Sequence, residues 1–87
     1  MKEQLIKSYI NKLNISDIKV FALNNNIILS DNEADIIYNI IKNNYKDILN
    51  GNYNNSFIVL KNNLSHTTYE QVKNLFFIYK EKYNHLL

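Results

Sequence analysis

Apolar side chains recur three and four positions apart along most of this chain, and short clusters of asparagine interrupt them. That period places the apolar groups on one face of an α-helix. The interruptions are Asn24-Asn25-Asn26, Asn43-Asn44, Asn54-Asn55 and Asn62-Asn63. Asparagine competes for local backbone hydrogen bonds and tolerates left-handed geometry, so such clusters mark helix ends and turns. The expected fold is all-α: a compact bundle of four to five short helices forming a single domain over residues 1–87.

In a first helix, from about Lys2 to Leu13, Leu5, Ile6, Tyr9, Ile10 and Leu13 share a face. Ser16 reads as the cap of a short second helix, from about Asp17 to Asn25, with Asp17 favourable in its first turn. Val20 and Leu23 fall off its Ile18, Phe21, Ala22 stripe, which suggests contacts on two sides. Ser30-Asp31-Asn32-Glu33 is a capping box. It opens a third helix, from about Asp31 to Asn43 or Asn44, with room for one further turn over 45–50 and Gly51 as the stop. Ala34, Ile36, Ile37, Tyr38, Ile40, Ile41 and Tyr45 cover more than half of its circumference, as expected of a central helix. A hairpin turn at Asn50-Gly51 is the other option, but the flanks do not alternate. Residues 56–63 include the strand-like run Phe57-Ile58-Val59-Leu60. No second strand exists to pair with it, so a short fourth helix is expected. Thr67-Thr68-Tyr69-Glu70 reads as a second capping box, opening a last helix from about Thr68 to Tyr83 or beyond. Tyr69, Val72, Phe76, Tyr79 and Tyr83 form its apolar face, with Phe77 on the opposite, polar side beside Glu70, Asn74 and Glu81.

Composition excludes several functions. Without cysteine there is no disulfide scaffold, thiolate metal site or cysteine nucleophile. With one glycine and no proline there is no phosphate-cradling glycine loop. The chain holds 17 asparagines, 13 isoleucines and no arginine. Asparagine, isoleucine, lysine and tyrosine all have AT-rich codons, which fits drift in an AT-rich genome. Lack of arginine removes the bidentate donor favoured for phosphate and guanine, and a net charge of +2 does not identify a polyanion partner. No transmembrane span and no signal peptide are expected, which points to a cytoplasmic protein.

Three stretches together resemble a known family. They are Asn11-Lys12-Leu13-Asn14-Ile15-Ser16-Asp17-Ile18, Asn26-Ile27-Ile28-Leu29-Ser30-Asp31-Asn32-Glu33-Ala34 and Gln71-Val72-Lys73-Asn74-Leu75-Phe76. Their order from about Ile10 to Tyr79 resembles the small YqfT-like proteins of Bacillota, a family of unknown function. The resemblance implies an all-helical domain in a Gram-positive cytoplasm and supplies no catalytic or ligand residues. The family's basic, glycine-containing segment after the third helix is here Lys42-Asn43-Asn44-Tyr45, without glycine or arginine.

No catalytic motif and no metal-ligand spacing is present. His66 and His85 are isolated, and Ser8, Ser16, Ser30, Ser56 and Ser65 have no neighbouring base in a recognisable motif. The chain is accordingly expected to be non-enzymatic, with no cofactor and no metal. Its leading function is a protein-interaction module for an unidentified protein, a second copy of the chain included. Phe77 and Ile78, with Leu86 near the end, are the candidate interface residues. The alternative is a nucleic-acid-binding, helix-turn-helix-like protein using Lys42, Lys46, Lys73, Lys80 and Lys82. In that reading the third helix presents Asp35, Asn39 and Lys42 to DNA, while Asp31, Glu33 and Asp35 repel the phosphates. Tyr53, set among asparagines, is the one aromatic residue placed outside core spacing.

Overall fold

The computed structural model describes residues 2–83 of the 87, and the side chains of residues 4–81. The order of elements is α1 (Lys2–Lys12), α2 (Ile15–Asn24), α3 (Asp31–Leu49), α4 (Asn54–Asn63) and α5 (His66–Tyr83), with no strand among the described residues. The chain is an all-α bundle, and its radius of gyration of 12.6 Å is that of one folded unit of this length.

Helix α3 lies at the centre, against α1, α2 and α4. One side of it closes a core of Ile18, Ala22, Ile27, Leu29 and Ala34, with Ile37, Tyr38 and Ile41 packed on it. Another side, through Ile36, Ile37 and Ile40, covers a second core of Leu60, Leu64 and Tyr69 from α4, its C-terminal cap and α5. Ile37 belongs to both, so the wide apolar arc of α3 serves two cores. Ala34 is fully buried where α2 meets α3, and a small side chain there lets the backbones approach closely.

Three local expectations are corrected and one open choice is resolved. First, α2 is capped by Asn14, two residues before Ser16. The Asn14 side chain accepts from the Asp17 amide at 2.9 Å and the Asp17 carboxylate accepts from the Asn14 amide at 3.0 Å. Ser16 lies within the helix. Second, of the two ends left open for α3 the longer is taken: it runs through Asn43-Asn44 to Leu49, with Gly51 as the stop. The Asn44 amide donates to Ser56 Oγ of α4 at 3.2 Å instead of turning on its own backbone. Third, α5 begins two residues early, at His66. Ser65 Oγ accepts from the Thr68 amide at 3.2 Å, whereas Thr67 is exposed. Fourth, α4 starts at Asn54, ahead of Ser56. Its Leu60 is buried and its Phe57 half-buried, so the strand-like run packs as a helix face.

The box at Ser30 forms as expected, with both reciprocal bonds at 3.1 Å. The other carboxylate oxygen of Glu33 accepts from the Ser65 amide at 3.4 Å, which ties the starts of α3 and α5 together. Two helices end in the same way. After α3, the Gly51 amide donates to Ile48 O at 3.1 Å and the Asn52 amide to Asp47 O at 2.7 Å. After α2, the Asn26 amide donates to Leu23 O at 3.0 Å and the Ile27 amide to Ala22 O at 2.9 Å. Both are Schellman stops with a left-handed residue, Gly51 at φ +89° and Asn26 at φ +65°. No hairpin forms at Asn50-Gly51.

The Lys19 ammonium pairs with the Asp31 carboxylate, joining α2 to the start of α3. The hydrogen bond from Lys19, and then its charge, hold the Asp31 carboxyl below its ordinary value. A carboxyl depressed on folding contributes stability that is present above its unfolded pKa. That contribution is lost as pH falls through the lower folded value. Asp31→Asn is therefore expected to flatten part of the acid limb of stability against pH. The change is small and salt-sensitive because the pair is exposed. Urea midpoints measured across the acid range in low and high salt check it.

Candidate functional site

Asn26 reverses the chain after α2, and Ile27, Ile28 and Leu29 follow as a non-helical segment whose exposure alternates like that of an extended chain. Side chains of an extended segment point alternately to opposite sides. Ile27 is 3% exposed, Ile28 81% and Leu29 6%. Ile27 and Leu29 thus complete the α2–α3 core while Ile28 stands in solvent. Beside it on α2, Val20 and Leu23 are also largely exposed. Their contact on a second side, expected from the helix wheel, is not made among the described residues. Lys19, Val20, Leu23 and Ile27–Leu29 together line an open groove of about 170 Å³. An isolated exposed apolar group needs no explanation, but a contiguous set marks a binding surface.

Phe77 and Ile78 are both exposed, and Phe77 in addition joins an aromatic group of the chain. The side of α5 that carries Phe77 is exposed at Asn74, Phe77 and Glu81, and the Phe77 ring also touches the loop before α4 and α4 itself. Phe77 stacks on Phe57, with ring centroids 5.9 Å apart and planes 9° from parallel. Tyr53 meets Phe57, Phe76 and Phe77 at 5.6, 5.2 and 5.9 Å. Tyr53 is therefore half-buried in an aromatic clasp between α4 and α5. Ile78 is exposed at its edge. Leu86 lies outside the described residues.

The lysines of the nucleic-acid alternative are mostly engaged within the chain. Lys80 lies over the rings of Tyr53 and Phe77 at 5.1 and 6.0 Å and donates to the Tyr53 hydroxyl at 3.4 Å. Lys73 lies over Tyr69 at 6.0 Å. Lys42 donates to the Asn11 carbonyl at 3.2 Å and covers Tyr38. Lys46 is exposed, and the Lys82 side chain lies outside the described residues. On the α3 surface Asn39 donates to the Asp35 backbone at 3.0 Å, so one proposed base-reading group is tied to its own helix.

Between α3 and α4 lies a second recess of about 300 Å³, open to solvent and lined by Ile36, Ile40, Val59 and four asparagines. The side-chain amides of Asn39, Asn44 and Asn63 already donate within the chain. Among the described residues no three histidine or acidic side chains converge on a point that could hold a metal. His66 is exposed, and His85 lies outside the described residues. No helix of the described residues is long and apolar enough to cross a membrane. Comparison with family models, with curated proteins and with solved structures found no match.

Proposed function

We propose that this chain is a non-enzymatic protein-interaction module that docks its partner on the Ile28 face, within the bacterial cytoplasm implied by the YqfT-like resemblance. The observation that supports it is the alternation at the end of α2. The fold spends a left-handed residue to bury Ile27 and Leu29 and holds Ile28 out beside Val20 and Leu23. This reading places the docking surface beside α2 and not at Phe77 and Ile78, which are also exposed, the Phe77 ring stacking on Phe57. A nucleic-acid role is the weaker reading, because Lys42, Lys73 and Lys80 are each held against an aromatic ring.

Wild-type and Ile28→Asp chains, immobilised side by side and exposed to cell lysate, test the docking surface. Proteins retained by the first and lost from the second are expected. Equal retention overturns the reading. Oligonucleotide binding that weakens steeply with salt replaces it with phosphate contacts.

A further inference from the structure

We infer that the Ile28 face takes a second copy of this same chain, by antiparallel pairing of two Ile27–Leu29 segments about a two-fold axis through Ile28. The inference rests on the interaction-module reading and names its partner. Exposure alternates along the segment as in a strand, and among the described residues the amides of Ile28 and Leu29 and the carbonyl of Ile28 have no hydrogen-bond partner. Unpaired main-chain groups on an extended segment are a template for another strand. A residue on the axis of an antiparallel pair exchanges both of its N–H···O=C bonds with its own symmetry mate. The two Ile28 side chains then lie side by side on one face. A second copy of this chain carries the matching exposed segment.

Charge agrees with self-association. The groove lining carries a single ionisable side chain, Lys19, and that is paired with Asp31 at the rim. That pairing leaves no unpaired charge on the groove lining to oppose a second copy across the axis. Size sets the strength. Val20, Leu23 and Ile28 present on the order of a few hundred Å² of apolar surface, and doubling this stays below the roughly 1,200 Å² of a stable specific interface. The dimer is therefore weak and forms at high protein concentration.

Sedimentation of the full chain from about 10 µM to about 1 mM reads this directly. The wild type is expected to shift from one chain of 10.3 kDa toward two. Ile28→Asp, and independently Leu23→Glu, are expected to remain at one chain across that range. Both side chains are exposed, so the helical circular dichroism of each variant should match the wild type. In the wild type the Ile28 amide is expected to exchange more slowly as dimer accumulates. A wild type that stays monomeric, a dimer that survives both substitutions, or a dimer with an unprotected Ile28 amide overturns the inference. The lysate comparison separates the two levels. A monomeric wild type that still retains a protein lost on Ile28→Asp overturns self-association alone, whereas equal retention overturns the interaction module as well.

Discussion

Ile27→Ala is expected to lower the free energy of unfolding by about 2–5 kcal/mol, while Ile28→Ala changes it by about 0.5 kcal/mol or less. The two residues are neighbours of identical chemistry, so their difference measures geometry alone. Ile27 is 3% exposed and packs with Ile18, Ala22, Leu29 and Ala34. Truncating it removes three carbons from between α2 and α3, and the fully buried Ala34 cannot close the gap. Ile28 leaves no such gap, because solvent already surrounds it. Stabilities of small domains are about 5–15 kcal/mol, so the first substitution removes a large share and the second almost none. Urea unfolding at a few micromolar, where the proposed dimer is dissociated, reads both. Similar losses at the two positions would mean that the segment does not alternate, and the docking surface would fall with it.

This contrast also shows what could be read from the residues alone. The Ser30 box was legible because its partners lie three residues apart on one turn. The Asn14 cap has the same spacing to Asp17, but Ser16 stands between them and is an equally good cap by type. The length of α3 was hidden by Asn43-Asn44. Such a pair ends a helix when its amides bond locally, and Asn44 instead finds Ser56 across the bundle. The link from Glu33 to the Ser65 amide joins residues 32 apart, a separation no local pattern encodes. For the candidate surface, the sequence flagged Val20 and Leu23 as off-stripe but supplied no period for Ile27-Ile28-Leu29. Which of three adjacent apolar residues faces out depends on the left-handed turn at Asn26. Helical spacing alone does not reveal that turn.

Phe77 is exposed and yet braced by other rings of the chain, because a helix wheel knows two sides and α5 is contacted on three. Val72 and Tyr69 face the core shared with α3 and α4, Tyr79 meets Phe21 of α2 at 5.4 Å, and Phe77 meets Tyr53 and Phe57. Phe57 sits at the middle of that last group, with Phe76 at 5.1 Å edge-on and Tyr69 at 6.5 Å. Phe57→Ala is accordingly expected to destabilise the fold by about 2–4 kcal/mol, somewhat below the cost in a fully buried core. Phe77→Ala should cost about 1–2 kcal/mol. Ring pairs of this geometry contribute about 0.5–1.5 kcal/mol beyond their burial, so the double variant should lose less than the sum by about that amount. A double-mutant cycle by urea unfolding measures the coupling. A value within error of zero would mean that Phe77 does not brace α4 against α5. It would return Phe77, with exposed Ile78, to the role of a surface ring open to a partner, and the docking face would then have to be sought on α5 instead of beside α2.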